Sequence, residues 1–133
     1  TSFDGTARGP RAASPKVDKE TLMRTFEINT IAPLLVAQHF TSLMGKRPSD
    51  DNRLYPVYAF VTSKVGSVDD NGSGGAYAYR SSKSALNNIA KSMSVDLADD
   101  CRVVLLHPGW VRTDMTGGKG LIDVDESVRG MLN

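Results

Sequence analysis

GAYAYRSSKSALNNIAKSMSVDL, residues 75–97, has the period of a helix and carries Tyr79 and Lys83, four residues apart, at its head. In a helix that spacing puts both side chains on one face. Ala85, Leu86, Ile89, Met93 and Leu97 supply the apolar side by which such a helix packs. A phenol gives up its proton only near pH ~10, and a cation within a few ångströms favours the phenolate. The pair can therefore act as a proton donor at neutral pH. Tyr-x-x-x-Lys is also short enough to arise as two solvated residues on a helix surface, so its meaning depends on its surroundings.

Working outward, an apolar run rich in β-branched and aromatic residues lies on each side of this helix. LYPVYAFV (54–61) precedes it and RVVLL (102–106) follows it. Both alternate little between apolar and polar, the pattern of strands buried on both faces of a parallel sheet. Strand, helix, strand in that order predicts a βαβ unit and an α/β fold. Ligands in such folds lie beyond the carboxyl ends of the strands. Thr62 and Ser63, the head of the Tyr79 helix and the stretch 107–113 all fall at those ends.

Further upstream, Asp18 is placed to cap a helix whose apolar residues run from Leu22 to Leu43. Pro33 cannot donate to the carbonyl four residues back, so a local break over 29–33 is expected, with the Asn29 carbonyl freed for water or a side chain. Downstream, 115–124 is featureless. DVDESVRGMLN (123–133) reads as a last short helix capped by Asp123 or Asp125. NGSGG (71–75) and GGKG (117–120) lack the spacing of a dinucleotide or phosphate loop and read as flexible loops. Residues 1–16 show neither period and read as an irregular lead-in; 46–53 reads as a polar loop.

At 133 residues the chain is at most one domain. Sixteen basic residues against fifteen acidic ones leave no stripe for nucleic acid. No apolar run approaches the ~20 residues of a membrane span. The single cysteine, Cys101, has Asp99 and Asp100 beside it, which oppose a thiolate; it reads as structural and fits a reducing, cytoplasmic compartment. No metal site is expected, because His39 and His107 lack ligand-spaced companions.

Four motifs now stand in one order: FEINTIAP around Asn29, FVTSKVGS around Ser63, YRSSK from Tyr79 to Lys83, and HPGWVRTDM from His107. Together they resemble the short-chain dehydrogenase/reductase family, over about residues 17–131. GSGGAYAYR and HPGWVRTDM resemble the branch with C-factor-like and carbonyl-reductase-like members. The resemblance implies a Rossmann fold, a doubly wound parallel sheet, and hydride transfer between NAD or NADP and a small carbonyl or alcohol substrate. It makes Tyr79 the general acid in reduction and the base in oxidation. Tyr79 and Lys83 would both contact the cofactor, Lys83 lowering the phenol's pKa and holding the nicotinamide ribose. Ser63 would hydrogen-bond the substrate carbonyl, with Thr62 a minor rival, and Asn29 would order a water through its backbone. Pro108 and Gly109 would approach the nicotinamide, with Val111 and Thr113 near its carboxamide. Helices matching 30–44 and 79–97 would form a homo-oligomer.

The glycine-rich fingerprint of the family, the strands after it, the residue that selects NAD or NADP and the final strand do not occur in this sequence. Residues 17–133 are therefore expected to be an incomplete Rossmann-type domain, the catalytic half, lacking the N-terminal fingerprint strands and with little activity alone. The alternative is a non-catalytic interaction module or relic half-domain that binds a partner.

Overall fold

The computed structural model describes residues 17–44 and 56–132. Helix α1, Lys19–Phe26, starts at Asp18, whose Oδ1 accepts from the Thr21 N–H at 2.8 Å. The hydrogen bonds from Thr21 hold the Asp18 carboxyl below its ordinary pKa.

The expected break after α1 is a π-turn, Glu27–Ile31, in which the Ala32 N–H donates to the Glu27 carbonyl five residues back. Regular helix α2, Ala32–Thr41, follows with Pro33 in its first turn, where a missing N–H is tolerated. The wide turn thus lies mainly ahead of the proline.

Strands β1, Val57–Val61, and β2, Arg102–Leu106, pair in parallel, from Val57 opposite Arg102 to Val61 opposite Leu106. Helix α3, Tyr77–Asp96, connects them. It has no side-chain cap; Gly74, Gly75 and Ala76 enter it in left-handed conformation, with φ of 63°, 70° and 46°. Helix α4, Val124–Leu132, closes the described chain, and Asp123 is its cap, its Oδ1 accepting from the Glu126 N–H at 2.8 Å. No helix among the described residues is long and apolar enough to cross a membrane.

The core lies on one side of the sheet. Ala37 of α2, Phe60 of β1 and Leu86 and Ala90 of α3 are buried together, with Tyr58, Met93 and Val103 packed against them. The reading of both strands as buried on two faces is corrected here: Val57 and Val61, on the other face, are 56% and 57% exposed. The reason is that α2 and α3 both pack on the Tyr58–Phe60 side, and among the described residues the sheet has two strands only. Leu54 and Tyr55, the expected start of β1, lie outside the described residues, as do 1–16 and 46–53.

Candidate active site

The α3 face that carries Tyr79 and Lys83 sits at the carboxyl end of β1. The Lys83 Nζ donates to the carbonyl oxygen of Val61, the last residue of that strand, at 3.1 Å. It also lies 5.9 Å from the centre of the half-buried Tyr79 ring. Burial pushes the Lys83 amine below its ordinary pKa of 10.5, because water is removed from its charged form.

Asn29 reaches the same turn of α3 from the π-turn. Its Nδ2 donates to Ser82 Oγ at 3.1 Å, and the Ser82 hydroxyl donates to the Tyr79 carbonyl at 2.8 Å. The neighbouring Thr30 hydroxyl donates to the Ser82 carbonyl at 2.9 Å. Ser82 and Thr30 are buried, so these polar groups depend on one another. A cleft of about 390 Å³ opens between the π-turn, α2 and β1; Ile28, Asn29, Val36, Phe60, Val61 and Lys83 are among its lining residues. Asn29 and Lys83 are thus brought together, while Tyr79 and Ser63 are not among the residues lining this cleft.

Ser63 follows β1 and caps the short 3-10 turn Lys64–Gly66, its Oγ accepting from the Val65 N–H at 3.4 Å. This turn lies on α3. Ser84 Oγ donates to the Gly66 carbonyl at 2.7 Å, and a Cβ at Gly66 would come within 2.9 Å of the Lys83 backbone. Thr62 differs from Ser63: it is buried, and its hydroxyl donates to Asn87 Oδ1 at 2.6 Å.

The two strand ends are joined side by side. The Thr62 N–H donates to the Leu106 carbonyl at 2.8 Å, and the Lys64 N–H to His107 Nδ1 at 3.4 Å. Beyond His107, Pro108, Gly109, Val111 and Thr113 are organised by the segment leading into α4. Ser127 Oγ donates to the Pro108 carbonyl at 2.6 Å. Gly109 has φ +81°, and a Cβ there would lie 2.7 Å from Ile122 Cδ1. Val111 bridges in parallel to Ile122, and Thr113 forms a capping box with Thr116. Among the described residues no group of three His, Cys, Asp or Glu could hold a metal ion.

Sequence reading missed Ser82, Thr30, Asn87 and Ser127. A signal for Ser82 was present, because it continues the buried stripe of α3 one turn before Leu86 and two before Ala90.

Tyr79, Lys83, Ser63 and Asn29 thus lie on the elements around one strand end of a parallel α/β sheet. The family model described as short chain dehydrogenase matches residues 5–121. This chain belongs to the short-chain dehydrogenase family.

Among curated relatives it is 49% identical over 117 residues to "C-signal" of Myxococcus xanthus, covering 87% of this chain and 67% of that protein. It is 36% identical to 1-hydroxy-2-glutathionyl-2-methyl-3-butene dehydrogenase of Rhodococcus sp. (strain AD45), covering 87% of this chain and 50% of that one. Among solved structures, the carbonyl reductase Sniffer of D. melanogaster superposes with a TM-score of 0.77 at 35% identity, over 92% of this chain and 56% of that one. An NADPH-bound carbonyl reductase from chicken fatty liver gives 0.72 at 33% identity, over 96% and 54%. The chain therefore spans about half to two-thirds of the length of these relatives.

Proposed function

We propose that this chain is the catalytic part of a nicotinamide-dependent oxidoreductase that interconverts a small carbonyl compound and its alcohol. The observation that carries this is the turn of α3 bearing Tyr79 and Lys83, tied through Lys83 Nζ to the carbonyl at the end of β1. It puts a phenol and an ammonium together where parallel α/β folds bind ligands.

The residues present fit the nicotinamide end of NAD or NADP. Lys83 has three N–H donors, and the Val61 carbonyl engages one, which leaves donors for ribose hydroxyls. Gly109 follows Pro108 with a left-handed φ of +81°, and Val111 and Thr113 come next on a loop held by its own hydrogen bonds. When bound, a reduced nicotinamide would supply the hydride. Tyr79 Oη donates the proton to the carbonyl oxygen, and the Lys83 ammonium favours the phenolate left behind. The Ser63 hydroxyl hydrogen-bonds the substrate oxygen; Thr62 is the poorer choice because its hydroxyl is engaged by Asn87. Asn29 orders a water through its backbone while its side chain is engaged by Ser82.

Two further assignments belong to this reading. The exposed apolar residues of α2, among them Leu35 and Phe40 at 50% and 56%, support a homo-oligomer through this helix and α3. A lone, buried free cysteine fits a cytoplasmic protein.

The test is a titration of the full-length protein with NADH and NADPH, followed by a panel of small carbonyl compounds. Binding of either dinucleotide and carbonyl-dependent oxidation of it are expected. A folded protein that binds neither and turns over no carbonyl contradicts the proposal.

A further inference from the structure

The geometry points to Ser82 as a positioning residue that fixes Asn29 against the Tyr79–Lys83 turn; this inference rests on the catalytic reading given above. Ser82 has no solvent exposure and lies directly between the two sites it joins, next to Lys83 and one helical turn after Tyr79. Three hydrogen bonds beyond the backbone ladder of α3 serve that junction. Its Oγ accepts from Asn29 Nδ2 at 3.1 Å and donates to the Tyr79 carbonyl at 2.8 Å, and its own carbonyl accepts from Thr30 Oγ1 at 2.9 Å.

The local backbone explains why both Asn29 and Thr30 can hold one residue. They are consecutive, and they sit in the π-turn Glu27–Ile31, where the widened helix departs from its ordinary spacing. Ser82 therefore grips the π-turn at two points, through hydroxyl and carbonyl, and ties it to the carbonyl of the residue that carries the proton donor. Its position on the stripe with Leu86 and Ala90 sets the roll of α3 by burial as well. An apolar residue at 82 would keep the burial and the Thr30 bond to the backbone carbonyl, and lose the hydroxyl that holds Asn29. That separates positioning from packing.

The experiment compares Ser82→Ala and Thr30→Val with the parent in the full-length protein, each checked for folding by circular dichroism. The first readout is independent of activity: solvent exchange of the Asn29 side-chain amide protons by nitrogen-15 NMR. Exchange should be slow in the parent and accelerate at least about tenfold in Ser82→Ala, because the amide loses its buried acceptor. The second is kinetic: kcat should fall by up to about 100-fold, with KM for the carbonyl substrate changed less than about twofold. The third is a cycle with Asn29→Ala, in which the double variant should be no worse than the poorer single.

Unchanged Asn29 exchange overturns the clamp. Accelerated exchange with parental kcat overturns the positioning role, as do losses that simply multiply in the cycle. If Ser82→Ala fails to fold, the isosteric Thr30→Val decides, with a smaller loss of kcat supporting the proposal and parental kcat overturning it. Failure of the catalytic reading is distinguished by Tyr79→Phe: full turnover there removes the reaction while the amide exchange still reports whether the clamp exists.

Discussion

Lys83 Nζ and the Val61 carbonyl oxygen lie 3.1 Å apart and join the head of α3 to the last residue of β1. One hydrogen bond thus fixes where the ammonium stands, while burial removes part of the water that would otherwise stabilise its charge. The remaining ammonium protons stay available at the strand end.

The lowered pKa of Lys83 gives a pH dependence with a definite sign. Between the lowered folded-state value and the ordinary 10.5, the unfolded chain binds more protons than the folded one, so stability rises with pH across that window. Below the window the burial penalty is present in full. Lys83→Met cannot titrate. The stability of the parent relative to Lys83→Met, from urea denaturation at pH 7 and at pH 10, should therefore improve at the higher pH. A difference that does not change with pH contradicts this.

Gly66→Ala should destabilise through overpacking. Its Cβ would lie 2.9 Å from both the backbone carbon and the Cβ of Lys83, and 3.0 Å from Asn87 Nδ2. The turn after Ser63 would have to lift from α3, at a cost of about 1–3 kcal/mol. The urea midpoint measures it. A midpoint equal to the parent's would show that the turn does not approach α3 this closely.

Gly109→Ala meets two separate penalties. The left-handed φ of +81° costs a side-chain-bearing residue about 1–2 kcal/mol, and the new Cβ lies 2.7 Å from Ile122 Cδ1. Ile122→Val deletes that atom. The double variant should recover the steric part of the loss, measured by thermal melting against both singles, while the backbone part persists. A double variant as unstable as the two losses added together would exclude the clash.

Cys101 should resist thiol reagents in the native state. It is 4% exposed, and burial, followed by the Asp100 carboxylate, pushes its thiol pKa up. Labelling with a disulfide reagent at pH 8 should be slow until the protein is denatured. Labelling of the native protein as fast as a free thiol contradicts the burial.

The parts of the fold legible in the sequence were those fixed by local pattern. The stripe of Leu86, Ile89 and Met93 announced α3, RVVLL marked β2 at its observed bounds, and Asp18 marked the start of α1. Strand burial was not legible, because VYAFV is apolar at every position and cannot show which face a helix covers; Phe60 went in and Val61 stayed out. At Asn29 the sequence located a break through Pro33, but not its π form, nor the contacts that Asn29 and Thr30 make with α3, more than fifty residues away. Ser82 was missed for a related reason. A serine on a helix looks solvated until the donor that faces it is known.

The most direct test of the central claim is Tyr79→Phe in the full-length protein. The substitution keeps the ring that stands 5.9 Å from Lys83 Nζ and removes only the hydroxyl. If Tyr79 is the proton donor, turnover of a carbonyl substrate should fall by about 100- to 10,000-fold, with folding retained. Turnover within about twofold of the parent would contradict the account.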